Sequence, residues 1–104
     1  FAAGRVVTTE SADTFADGVA TRGPDPEAFE IIRRGAERIV TVSEDEIAAA
    51  MRAYHTDTHN LAEGAGAAPL AALIKEAEAM RGRKVGVILS GGNIDLDLFQ
   101  CVLG

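Results

Sequence analysis

Only one cysteine, Cys101, occurs in the 104 residues. No internal disulfide can form, and a reducing compartment, the cytoplasm, is the expectation. With Phe99, Val102 and Leu103 around it, Cys101 reads as a buried small hydrophobe rather than a nucleophile. Basic residues are also scarce. Ten Lys and Arg against sixteen Asp and Glu leave a net charge of −6 and a pI near 4.8, which argues against nucleic acid or an anionic membrane surface as partner. The basic residues gather only at 33–34 and 81–84, as solvated ends of elements. No apolar run approaches the ~20 residues needed to cross a bilayer, and no signal-peptide pattern opens the chain. Internal repeats and low-complexity tracts are absent. A hydrophobic fraction of 47% suits one globular unit with a modest core. The first residue is Phe1 rather than Met, so the chain reads as a piece of a longer polypeptide.

Residues 5–9 are β-prone and fit a short strand or an extended entry segment. Gly23-Pro24-Asp25-Pro26 is a breaker in which Asp25 can cap a helix and Pro26 can occupy its first position. That helix ends near Gly35 and carries Phe29, Ile32 and Ala36 on its inner face. Residues 38–42 are a short β-branched run, a strand by composition. Ser43-Glu44-Asp45-Glu46 is a capping box opening a second helix, with the acidic first turn suited to the helix dipole. Ile47, Ala50, Met51 and Tyr54 follow as its buried stripe. A third helix runs from Glu63-Gly64 toward Met80, with Leu70, Leu73, Ile74 and Ala77 as its apolar face and Pro69 in its early turns. Gly82 ends it, residues 85–89 read as a buried strand, and Asn93 or Asp95 can cap a last helix through Leu96, Phe99 and Val102. Strands separated by helices imply an α/β arrangement with a parallel or mixed sheet, here partial and flanked by helices.

Three constellations carry chemistry. Ser90-Gly91-Gly92-Asn93 falls where a strand's carboxyl end meets the next helix, the crevice in which open α/β sheets bind ligands. No His and carboxylate accompany Ser90 to make it a nucleophile. Glu63-Gly64-Ala65-Gly66-Ala67-Ala68 puts a carboxylate at the start of a helix lined by small residues. It fits close packing against a neighbour or room for a flat ligand. Asp17-Gly18 reads as a turn. His55 and His59 stand at i, i+4 spacing with Asp57 between, a spacing that can hold a metal. No third ligand follows, so they read as a polar helix end and no metal is expected.

In order along the chain stand residues 13–20 (Asp13-Thr14-Phe15-Ala16-Asp17-Gly18-Val19-Ala20), residues 39–47, residues 63–68 and residues 89–95. This succession resembles the C-terminal part of the catalytic domain of the threonine dehydratase (threonine deaminase) and serine racemase family. These are pyridoxal phosphate enzymes of the tryptophan-synthase-β-like fold, fold type II. The likeness runs from about Gly4 to Phe99. It implies that residues 1–104 are the C-terminal portion of one such catalytic domain. Ser90 matches the serine that hydrogen-bonds the pyridine nitrogen of the cofactor. A neutral hydroxyl cannot keep that nitrogen protonated as a carboxylate would, which weakens the electron sink and favours loss of a β-hydroxyl over reprotonation. Gly91 and Gly92 let the ring edge approach, Glu63 matches a carboxylate close to the cofactor, Gly18 a backbone contact, and Asn93 lies just beyond the ring.

The family's Schiff-base lysine, its glycine-rich phosphate loop, the asparagine at the ring hydroxyl and its metal ligands all fall upstream of this segment. Lys75 and Lys84 do not match that lysine, so no catalytic residue is assigned here. The implied activity of the parent is β-elimination, from L-threonine to 2-oxobutanoate and ammonia or from L-serine to pyruvate and ammonia, with isoleucine biosynthesis as one setting. A racemase using the same pocket and a non-catalytic interaction module stand as alternatives. The implied partners are a small amino-acid substrate, the rest of the catalytic domain and further copies in a homo-oligomer.

Overall fold

The computed structural model describes residues 1–104. Its course is built from helix signals. α1 (Pro26–Gly35) starts where the Asp25 carboxylate accepts from the backbone N–H groups of Glu27 and Ala28 at 2.9 and 3.1 Å, with Pro26 at the first position. Only Phe29 on it is buried. Ala36 is half-buried and Ile32 is exposed, so the expected inner face is reduced to one anchor.

α2 (Glu44–Thr58) opens on the full capping box. Ser43 Oγ accepts from Glu46 N at 3.1 Å, and Glu46 Oε1 accepts from Ser43 N at 2.8 Å. The backbone N–H of Ser43 is the main reason the Glu46 carboxyl is held below its usual range. Ile47, Ala50 and Met51 are buried and Tyr54 half-buried, as the periodicity expects. The helix closes at His59, which takes the left-handed conformation (φ 59) usually left to Gly or Asn.

α3 (Gly64–Lys75) packs on α2 and buries Gly64, Gly66, Ala67 and Ala71, with Gly64 against Ala16 and Gly66 against Gly91. The expected face of Leu70, Leu73, Ile74 and Ala77 is half-buried or exposed instead. Close approach of the backbone at Ala16 and Gly91 leaves no room for a side chain at Gly64 or Gly66, and this selects the small-residue side. The helix also breaks at Glu76 (φ −103, ψ 19) rather than running through to Met80, and the short α4 (Ala77–Met80) follows. The Glu76 carboxylate holds the Arg38 guanidinium in two hydrogen bonds of 2.7 and 2.9 Å.

α5 (Leu96–Leu103) crosses α2, burying Phe99 and Val102, and Arg52 Nη1 donates to Val102 O at 2.9 Å. Cys101 is exposed, correcting the buried reading. With Phe99 and Val102 three apart on the inner side, helix geometry turns Gln100 and Cys101 between them outward.

Residues 5–9, 38–42 and 85–89 form no strand, so the expected partial sheet is not made within these residues. A strand exists only through backbone bonds to a neighbour. Residues 38–42 and 85–89 make no backbone–backbone hydrogen bond, and in 5–9 only Thr9 N makes one, to Arg22 O. Residues 38–42 are instead lashed to the end of α3 by Arg38–Glu76 and by Lys75 Nζ, which donates to Thr41 O at 2.6 Å. The molecule is a slab of 39 × 37 × 18 Å whose radius of gyration, 14.7 Å, exceeds the ~13 Å of a compact chain this long. Its core is small: Ala16, Ile47, Ala50, Met51, Ala62, Ala67, Ala71, Phe99 and Val102.

Candidate functional site

Three irregular segments meet at the N-terminus of α3. The first is residues 14–20, which include a 3-10 turn at Asp17–Val19. Ala16 is buried and lies against Gly64, where a Cβ would fall 2.9 Å from the Ala16 Cα. The second is Leu61 to Glu63, entering the helix. The third is residues 89–95, joined to the second by Glu63 N donating to Gly91 O at 3.1 Å.

Glycine is required at these crossings because the backbones nearly touch. A Cβ at Gly66 would stand 2.5 Å from Gly91 O, and one at Gly92 would run into the carbonyl oxygen of Leu61. The Glu63 carboxylate lies between two glycine surfaces. Its Oε1 is 2.6 Å from where a Gly91 Cβ would be, and its Oε2 is 3.9 Å from where a Gly18 Cβ would be, which would also meet Ala65 Cβ at 2.8 Å. Beside them opens a cleft of about 140 Å³ lined by Asp17, Glu63, Asn93 and Asp95, with Phe15 and Leu98 among its apolar walls.

Of the six residues singled out by sequence, Gly18, Glu63, Gly91 and Gly92 come together at the crossing, and Asn93 lines the adjoining cleft with Glu63. Ser90 is exposed, one residue from Gly91, and is not part of the cleft wall. Asp17 and Asp95 line the cleft without having been singled out as site residues. Asp95 looked like a helix cap, yet its side chain makes no cap hydrogen bond. Lys75 is committed to Thr41 O and lies 3.9 Å from Glu46, and Lys84 is exposed. The His55 ring meets Phe99 edge-on at 5.6 Å. No group of three or more His, Cys, Asp or Glu is arranged to hold a metal.

The Glu63 carboxylate beside Gly91, with the exposed Ser90 hydroxyl one residue away, offers polar groups suited to the edge of a flat heteroaromatic ring. A Cβ at Gly18 would meet Ala65 and one at Gly91 would meet the Glu63 carboxylate, so both glycines let that carboxylate sit close against backbone. The residues present therefore fit pyridoxal phosphate as one wall of its site.

The comparisons with known proteins agree. The family described as pyridoxal-phosphate dependent enzymes matches residues 1–91. An L-threonine ammonia-lyase of Thermotoga maritima is 35% identical over 100 residues, covering 96% of this chain and 25% of that protein. The crystal structure of a T.th. threonine deaminase superposes with a TM-score of 0.84 at 38% identity, over 91% of this chain and 35% of that one. Serine racemase from Dictyostelium discoideum gives a TM-score of 0.80 at 33% identity, over 91% and 30%. The helical course described above is thus shared with enzymes of the fold expected from the sequence, while the chain spans about a quarter of the length of the first curated relative. With the glycine crossing, the matched profile and the superposition in agreement, the chain belongs to the pyridoxal-phosphate dependent enzyme family, in its threonine dehydratase and serine racemase branch.

Proposed function

We propose that the full-length protein is a pyridoxal-phosphate-dependent ammonia-lyase acting on L-threonine or L-serine, with residues 1–104 as the C-terminal portion of its one catalytic domain. The observation that carries this reading is the crossing at which Glu63 lies between Gly18 and Gly91, next to exposed Ser90. Ser90, Gly91, Gly92, Glu63, Gly18 and Asn93 are the residues that would hold the cofactor. When bound, pyridoxal phosphate supplies an electron sink for the carbanion left after α-proton removal.

The chain's own part is to bind and orient. The Ser90 hydroxyl offers an uncharged hydrogen bond to a ring nitrogen, which leaves that nitrogen less basic in effect than a carboxylate partner would. Gly91 and Gly92 keep side-chain bulk off the ring edge. Glu63 presents a carboxylate at the helix start, between Gly18 and Gly91. Asn93 faces the cleft with both a donor and an acceptor. The overall change is L-threonine to 2-oxobutanoate and ammonia, or L-serine to pyruvate and ammonia. No lysine of this chain stands at the crossing, so the 104 residues alone release no ammonia. The rest of the catalytic domain and a homo-oligomeric partner belong to the same reading. So does a cytoplasmic location, supported by the single cysteine and by the lack of any helix long and apolar enough to cross a membrane. An isoleucine-biosynthetic setting follows only with threonine as substrate.

A second reading, serine racemase, draws on the superposition with the Dictyostelium discoideum enzyme. The test is incubation of the full-length protein with pyridoxal phosphate and each L-amino acid, following keto acid, ammonia and D-enantiomer. Keto acid with equimolar ammonia supports the lyase. D-serine without keto acid supports the racemase. Neither product would point to a non-catalytic interaction module.

A further inference from the structure

Glu44 stands in the first turn of α2, where an acidic residue needs no further reason than the helix dipole. Its side chain does something its neighbours do not. Oε1 accepts from the Thr14 hydroxyl and Oε2 accepts from Phe15 N at 3.2 Å, contacts that span 30 and 29 residues of sequence. Thr14 Oγ1 in turn accepts from Ala16 N at 3.1 Å, and Ala16 O accepts from Val19 N at 3.0 Å. A continuous chain of hydrogen bonds therefore runs from the Glu44 carboxylate into the Asp17–Val19 turn. On its other side the segment abuts α3, through Ala16 on Gly64 and Gly18 on Ala65.

We propose that Glu44 is a positioning residue for the cofactor wall: by fastening Thr14 and Phe15 to the head of α2 it sets where Gly18 stands opposite Glu63. This rests on the proposed function for the identity of the ligand, but the fastening itself is a property of the chain. Beyond these hydrogen bonds the segment is held by Ala16 in the core and Phe15 packed against it. It has no regular structure beyond one short turn, and of residues 14–20 only Ala16 is fully buried. A carboxylate is suited to the task because it accepts from two donors at once, and hydrogen bonds to an ionised acceptor are the stronger kind. A glutamine can keep the Thr14 contact through its carbonyl oxygen but turns a donor toward Phe15 N–H.

The test compares Glu44→Gln, Thr14→Val, Thr14→Ser and Asp45→Asn in the full-length protein. Asp45 shares the acidic first turn and serves as the control for helix stability. Two readouts are taken: the dissociation constant for pyridoxal 5′-phosphate, and amide hydrogen exchange resolved by segment. Glu44→Gln and Thr14→Val should each weaken cofactor binding on the order of tenfold, about 1.4 kcal/mol. They should speed exchange at residues 15–20 and leave residues 50–56 of α2 unchanged. Thr14→Ser should restore both properties, and Asp45→Asn should match the wild type.

Equal behaviour of Glu44→Gln and Asp45→Asn, or faster exchange throughout α2, would overturn the proposal and leave Glu44 a helix-stabilising acid only. A wild-type protein that takes up no pyridoxal phosphate would overturn the functional reading, and the exchange comparison would still decide for or against the fastening.

Discussion

A methyl group added at Gly91 would meet the free end of the Glu63 side chain, whereas one added at Gly66 would meet the carbonyl oxygen of Gly91 itself. The first obstacle can swing aside and the second cannot. Gly91→Ala should therefore keep near-native stability while displacing the carboxylate and weakening pyridoxal phosphate binding. Gly66→Ala should destabilise the fold by about 1–3 kcal/mol. Thermal melting of both variants alongside a cofactor titration checks the pair, and equal melting losses would refute the distinction. Ser90, being exposed, carries no packing, so Ser90→Ala should leave the melting temperature unchanged and lower cofactor affinity roughly tenfold, the worth of one hydrogen bond. The glycine motifs and Glu63 stand out in the sequence only together, since each alone fits ordinary packing and their order along the chain is what carries the resemblance. Glu44 was not, since the partners that give it a second role lie some thirty residues away. Cys101 was misread because apolar neighbours in sequence are not neighbours on a helix face.

α2 packs against both α3 and α5, and its start is specified twice. Ser43 caps the Glu46 amide while Glu46 reaches back to the Ser43 amide. Ser43→Ala should cost about 1 kcal/mol, read by denaturant unfolding. The same box makes the helix start acid-sensitive. Because the folded-state Glu46 carboxyl is held below its ordinary range, chiefly by the Ser43 amide, it stabilises the fold fully above the unfolded glutamate value of about 4.3. That contribution is lost as the pH falls through the lowered folded value. Amide exchange in the first turn of α2 should rise across that acidic window in the wild type and show a weaker dependence in Glu46→Gln. A flat wild-type profile would contradict the assignment. The capping box, the Asp25-Pro26 start and the Ile47-Ala50-Met51 stripe were readable because each is a local pattern. The buried face of α3 is not legible because large apolar residues outweigh glycine and alanine in any periodicity, yet the close approach of Ala16 and Gly91 selects the small ones. The break at Glu76 has no local signal in the sequence, and its side chain is engaged by Arg38 from another segment.

Taken whole, the slab is only 18 Å thick and exposes Ile39, Val85 and Ile88 along the two segments expected to be strands. Sequence composition marks those segments as β-prone, but a strand is a relation between two segments and these residues supply no pairing to 38–42 or 85–89. In the 104-residue chain the amides of residues 85–89 should exchange rapidly, and in the full-length protein they should be protected as members of a sheet. Rapid exchange in both would refute the α/β expectation for this portion. The site shares this dependence, since the wall formed by Gly18, Glu63 and Gly91 gains its chemistry only from a ring placed against it. A crystal structure of the full-length protein with pyridoxal phosphate bound tests that most directly. The ring nitrogen should lie within hydrogen-bond distance of Ser90 Oγ, about 2.7–3.2 Å, with the ring edge over Gly91. A cofactor bound elsewhere, with Ser90 facing only solvent, would contradict the account.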